Sequence, residues 1–133
     1  MKMNNMADDV TVLDTEDSYE EVIEKEKKAG ETKWSFHIAG VKFHQMNSVI
    51  LDVAEGNILA LVPEPTNRFD PNAVRIIYAR ADKEAMLGYV PKKFSAEVSA
   101  AITIGTKLEC EVMEFKRQAK TWEMCLVEIR EVG

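Results

Sequence analysis

From Trp34 the chain alternates, with Trp34, Phe36 and Ile38 on one side and Ser35 and His37 on the other. A period of two is what a half-buried strand requires. Gly40 ends the alternation, and Lys42 to Gln45 lead into a less regular stretch. Ile58 to Val62 is an unbroken apolar run stopped by Pro63-Glu64-Pro65, the pattern of a strand buried on both faces. Further strands are expected from Ala73 to Tyr78 and from Ala85 to Val90, with Asp82-Lys83-Glu84 as the turn between them. The period then lengthens: Phe94, Val98 and Ile102 recur every four positions behind Pro91, which predicts a helix over about 92–102 that ends before Gly105. Two longer strands, about 106–115 and 121–131, flank a turn containing Lys116, Arg117 and Gln118. About six short strands and one core helix predict a mainly β domain, a small OB-like or SH3-like barrel, because strands this short must hide their edges.

The first 31 residues follow another pattern. Ser18-Tyr19-Glu20-Glu21 matches a capping box, Tyr19, Val22 and Ile23 share a helical face, and Gly30 follows Lys25, Lys27 and Lys28 as a stop, which predicts one short helix over about 18–29. Residues 1–31 hold ten acidic residues against four lysines, whereas 32–133 hold thirteen of each sign, so the whole net charge of -6 belongs to the N-terminal part. The chain therefore divides into an acidic, flexible segment (1–31) and a barrel domain (32–133). A neutral barrel can carry a basic patch, so the acidity does not exclude a nucleic-acid partner. No apolar run approaches the roughly 20 residues that span a bilayer, and the N-terminus lacks a basic region followed by an apolar one. A cytoplasmic protein without a membrane partner is expected.

Two cysteines and two histidines are too few and too scattered for a structural zinc site, and no cofactor is implied. Cys110 and Cys125 fall on the inward faces of the last two strands. A turn centred between Arg117 and Gln118 would place them opposite each other as reduced, neighbouring thiols.

The densest turn chemistry lies in residues 63–72, which hold three of the four prolines and two asparagines. Proline fixes φ and Asn or Asp side chains bond nearby backbone, so this loop is rigid without regular structure and presents Arg68, Phe69 and Asp70. Catalysis is not expected. Glu64 and Asp70 lack the pocket that would separate the pKa values of a catalytic pair, and no phosphate-binding G-x-x-x-x-G-K-[ST] loop is present.

Four segments in order carry a resemblance: Ile38-Ala-Gly-Val-Lys-Phe43; the run Leu61 to Ile76 with its core Asn67-x-Phe69-Asp70-x-Asn72-Ala73-Val74; Leu87-Gly-Tyr-Val-Pro91; and the helix after it. In these the chain resembles the HIRAN family, best known as an N-terminal module of fork-remodelling translocases and also found alone in bacteria and phages. The resemblance implies an OB-like barrel whose groove takes the 3′ end of single-stranded DNA, with a separate helicase, nuclease or translocase chain as a further partner. It implies a site built from Lys42, Phe43, Asn67, Phe69, Asp70, Tyr89 and Lys92. Phe43 and Phe69 offer stacking faces, Asp70 accepts from a terminal hydroxyl and repels a continuing phosphate, and Lys42 and Lys92 suit phosphates. Asn67 fixes the loop or bonds a base edge, and Tyr89 stacks or hydrogen-bonds. Family members often carry Tyr at the positions of Phe43 and Phe69 and His at that of Tyr89, so possible sugar or phosphate bonds are lost here.

Plainer readings compete. Phe43 and Phe69 would serve as core aromatics, Asp70 and Asn72 as caps of the turn around Pro71, and Lys42 and Lys92 as solvated charges, with Lys116, Arg117 and Lys120 an ordinary hairpin tip. The competing function is a protein-interaction barrel whose acidic N-terminal segment docks a partner or mimics DNA.

Overall fold

The computed structural model describes residues 31–132, so the acidic segment and its expected helix lie outside the described residues. The period of two becomes six strands: β1 (Thr32–His37), β2 (Ile58–Pro63), β3 (Val74–Arg80), β4 (Lys83–Tyr89), β5 (Leu108–Phe115) and β6 (Cys125–Glu131). They form one antiparallel sheet in the order β1-β6-β5-β2-β3-β4. Alternate residues turn inward, and Val74, Ile76, Leu87, Cys110, Val112, Val127 and Ile129 are all fully buried. Each large apolar side chain removed from water in this way contributes about 1.5–3 kcal/mol before entropy is counted.

Register shifts interrupt three of the pairings, between Thr32 and Trp34, between Ile76 and Ile77, and between Val112 and Glu114. Such bulges strengthen twist and curl the sheet. The curl brings the second residue after β1 to the end of β4, where Ala39 and Tyr89 exchange both backbone bonds at 2.9 Å. This single bridge joins the two edges of the sheet, giving a barrel-like form without a full closing ladder. Gly88 permits it, because a Cβ there would stand 2.3 Å from the Ala39 carbonyl oxygen.

The rest of the β4 edge is covered by the stretch that lacks a regular period. Two 3₁₀ turns, Val41–Phe43 and Met46–Val49, replace it. Between them the Gln45 backbone N–H donates to the Met86 carbonyl and the Gln45 side-chain oxygen accepts from the Met86 N–H, both at 2.8 Å. One residue thus satisfies both polar groups of an edge-strand position.

The helix α1 (Lys92–Thr103) forms where the spacing of Phe94, Val98 and Ile102 places it. Val98 is fully buried, Phe94 and Ile102 pack against the core, and the Phe94 ring lies 5.9 Å from that of Phe36. The helix ends as a Schellman motif: Thr106 N–H donates to Ala101 O and Gly105 N–H to Ile102 O, with Gly105 at φ 93°. No helix among the described residues is long and apolar enough to cross a membrane.

Three expectations need correction. Lys83 and Glu84 open β4 opposite Arg80 and Ala79, so the turn is Ala81-Asp82 and not Asp82-Lys83-Glu84. The apolar run of β2 is not buried on both faces: Leu59 is buried, but Ile58 is 46% exposed and Ala60 is exposed. β2 lies between β5 and β3, and none of the described residues covers the outer face at those two residues. The cysteines are also not an opposed pair, since Cys110 faces Ile129 and Cys125 faces Phe115. Residues 121–123 form a 3₁₀ turn, so the connection runs from Lys116 to Met124 and not through a tight turn, which shifts the register. Both thiols are free and buried, and burial pushes that of Cys125 up to about 12.

Candidate nucleic-acid interface

The loop between β2 and β3 is a series of locally determined turns. Asn67 N–H donates to Glu64 O and Ala73 N–H to Asp70 O, so Pro65 and Pro71 each occupy the second position of a β-turn, where their fixed φ is needed. Between the two turns the Asn67 carboxamide oxygen accepts from the N–H groups of Phe69 at 2.8 Å and Asp70 at 3.0 Å. The Asp70 carboxylate in turn accepts from Asn72 N–H at 2.9 Å. These bonds are why the proline- and asparagine-rich sequence gives one conformation.

Tertiary contacts fix the loop to two further elements. The Tyr89 hydroxyl at the end of β4 donates to Glu64 Oε1 at 2.7 Å, and Asn67 Nδ2 donates to the same oxygen at 2.8 Å and to the Tyr89 hydroxyl at 3.3 Å. Asn67 therefore has both acceptor and both donor positions engaged, and its part in any site is to hold Phe69 and Asp70 in place. On the other flank Ser95 in the first turn of α1 donates its hydroxyl to Asp70 Oδ2 at 2.7 Å.

Electrostatics follows these bonds. The Asn67 and Tyr89 donors hold the Glu64 carboxyl below its ordinary range, with Arg75 and His44 assisting and partial burial opposing. The Ser95 hydroxyl and the Asn72 N–H do the same for Asp70, assisted by Lys92. Burial, with the hydrogen bond to the Glu64 anion, raises Tyr89. The loop thus carries two anionic carboxylates, and the Tyr89 phenol at the end of β4 beside it is neutral at neutral pH.

Phe69 stands 87% exposed at the tip of this braced loop, and Phe43 is 73% exposed on its 3₁₀ turn, with Lys42 Nζ 5.0 Å from its ring centroid. Neither is a core aromatic. Asn67, Phe69, Asp70, Tyr89 and Lys92 are thus brought together by hydrogen bonds and charge. Lys42 and Phe43 lie on the turn just before His44, whose ring meets the Tyr89 ring edge to face at 5.4 Å. At the hairpin tip, Lys120 lies over the exposed Trp122 at 5.4 Å and Lys116 lies 3.8 Å from Glu114.

Three members of the cluster are absent from the expected site. Glu64 is considered above only as a catalytic carboxylate, yet it is the acceptor at the centre of the network, three residues before Asn67 at the head of the same turn. Ser95 is signalled only by its place in the first turn after Pro91. His44 carries no local signal, because the Ala39–Tyr89 bridge delivers it to the site.

The family model of the HIRAN domain matches residues 33–129. The chain belongs to the HIRAN family. A Fanconi-associated nuclease 1 homolog from rice (Oryza sativa subsp. japonica) is 35% identical over 74 residues, which are 56% of this HIRAN chain and 7% of that protein. The chain therefore spans only a small fraction of this curated relative. The crystal structure of the HIRAN domain of human HLTF superposes with a TM-score of 0.59 at 16% identity, covering 75% of this chain and 74% of that one. A protein from Lactobacillus plantarum matches with a TM-score of 0.57 at 16% identity, over 74% of this chain and 94% of its own. At that identity the two structures speak for the HIRAN fold alone.

Proposed function

We propose that this domain binds single-stranded DNA and receives a free 3′-hydroxyl end on the loop between β2 and β3. Phe43 and Phe69 serve as stacking faces, Asp70 as the acceptor of the terminal hydroxyl, and Lys42 and Lys92 as phosphate partners. The observation that carries this reading is an 87% exposed phenylalanine next to an anionic carboxylate on a loop whose neighbouring polar groups are already engaged. Exposure of a large apolar ring is unfavourable in isolation, whereas a base stacked on such a ring gains about 1–3 kcal/mol.

Asp70 suits end selection. Two of the roughly four acceptor positions of its carboxylate are used by Ser95 and Asn72, and the remainder are open to a hydroxyl donor. A strand that continued past that sugar would bring a phosphate against the same anion, which discriminates by repulsion. Lys92 opens α1, where unpaired backbone N–H groups favour an anion as well. The rice relative, named as a nuclease, supports a setting in which a separate enzyme, a helicase, nuclease or translocase, supplies the chemistry and this domain supplies the contact with DNA.

The deciding experiment is fluorescence anisotropy with a short labelled oligo(dT), carrying either a 3′-hydroxyl or a 3′-phosphate. Tighter binding of the hydroxyl end is expected, with a slope of about -1.5 to -3 in log K against log salt for two to four phosphate contacts. Equal affinity for both ends would overturn the end-specific reading, and absence of binding would favour the protein-interaction barrel.

A further inference from the structure

A cleft beside the aromatic track has no role in the site so far described. It lies where the 3₁₀ turns Val41–Phe43 and Met46–Val49 meet Thr121–Glu123, and it measures about 140 Å³. That is well above the ~10–15 Å³ that admits a single water, so it is no packing defect. Its floor is apolar, made by Val41, Met46 and Met124, all buried. Its polar lining is Lys42, His44, Asn47 and Thr121.

This composition selects the charge of an occupant. A hard cation favours carboxylate oxygens, and among the described residues the cleft is lined by no acidic side chain but by Lys42, which repels it. An apolar ligand would leave the lysine, the imidazole, the amide and the hydroxyl without use. Lined among the described residues by a lysine and a histidine and by no acid, the cleft is suited to an anion. Its position identifies the anion's source, because Lys42 adjoins the stacking face of Phe43 and the His44 ring abuts Tyr89 at 5.4 Å.

We propose that this cleft seats an internucleotide phosphate of the bound strand, held by Lys42 and by His44 in its protonated form, so that DNA affinity rises as pH falls. The inference rests on the single-strand reading and adds to it a phosphate seat and a pH response. Imidazole is the side chain whose charge changes between about pH 5 and 8, and a phosphate beside it favours the charged form. Among the described residues, these groups face His44. Lys42 is on its own turn, the Tyr89 ring comes from β4, and Glu64, with Arg75 behind it, lies within electrostatic reach. Asn47, Thr121 and Met124 carry no charge. Glu64 and Asp70 lie below the ordinary carboxylate range and stay ionised throughout this window, so neither mimics the response.

The test uses the full chain and a 3′-hydroxyl oligo(dT), whose bases and backbone do not titrate between pH 5.5 and 8, read by anisotropy at several salt concentrations. Affinity at pH 5.5 should exceed that at pH 8 by about threefold to tenfold, and the salt slope should be steeper by about 0.7, one more phosphate contact. The chain has two histidines, so the assignment is clean: H44Q should flatten both changes, and H37Q, on the exposed side of β1, should keep them. H44R, whose charge is permanent, should hold the low-pH affinity and the steeper slope at pH 8. A flat wild-type profile with intact binding would overturn the phosphate seat and leave the single-strand reading standing, whereas no binding at any pH would remove both. A pH response that survives in H44Q, or an H44R protein as weak as H44Q, would also overturn the assignment.

Discussion

Ser95 donates its hydroxyl to Asp70 at 2.7 Å, which ties the first turn of α1 to the loop between β2 and β3. The same carboxylate is proposed to meet the DNA end, so support and contact can be separated by mutation. Ser95→Ala removes the brace and leaves the carboxylate; it should lower stability by about 1 kcal/mol and weaken binding of both ends while preserving the preference for the hydroxyl. Asp70→Ala removes the acceptor and the repulsion together, so 3′-phosphate strands should gain relative to 3′-hydroxyl strands. Chemical denaturation and anisotropy check the pair, and an unchanged end preference in Asp70→Ala would make Asp70 purely structural.

Phe69 should matter to binding and hardly at all to folding. Its side chain is 87% exposed, so Phe69→Ala should change stability by no more than about 0.5 kcal/mol. Loss of a stacking face should weaken both strands by about 1–3 kcal/mol. A lowered thermal midpoint with unaltered DNA affinity would reverse the roles assigned here.

Acid should loosen the loop before it unfolds the barrel. Glu64 and Asp70 are held below their ordinary values of 4.5 and 3.8 by hydrogen bonds present only in the folded chain. A depressed folded-state pKa means that their contribution is complete above the ordinary values and is lost as pH falls through the folded ones. Thermal midpoints measured from pH 6 down to pH 2 should therefore fall, and the fall should be shallower in Glu64→Gln. Identical acid limbs in the two proteins would show that Glu64 is not linked to folding.

Gly88→Ala tests the bridge between the sheet edges. The added Cβ would stand 2.3 Å from the Ala39 carbonyl oxygen and 2.7 Å from Ile38 Cγ2, so the chain after β1 must move away. A loss of about 2–3 kcal/mol is expected, the upper range of overpacking in a well-packed core. Because Ala39 leads into Lys42 and His44, DNA affinity should fall too, measured where the variant is still folded. Wild-type stability in Gly88→Ala would mean that the edges do not approach as described.

The patterned sequence by itself determined whatever depends on neighbours a few residues apart. The period of two placed the strands to within a few residues at most ends, the recurrence of Phe94, Val98 and Ile102 placed α1, and Pro65, Asn67, Asp70 and Pro71 specified their own turns through bonds to adjacent backbone. The exposed state of Phe43 and Phe69, the corrected register of Cys110 and Cys125, and the partnerships of Asp70 with Ser95 and of His44 with Tyr89 were decided only by the tertiary structure. The cysteine register depends on the length of the connection between β5 and β6, and the others depend on how far the sheet curls. That curl is set by bulges and by the 3₁₀ turn at residues 121–123, where one additional residue in a strand changes which distant side chains meet without altering the local apolar pattern.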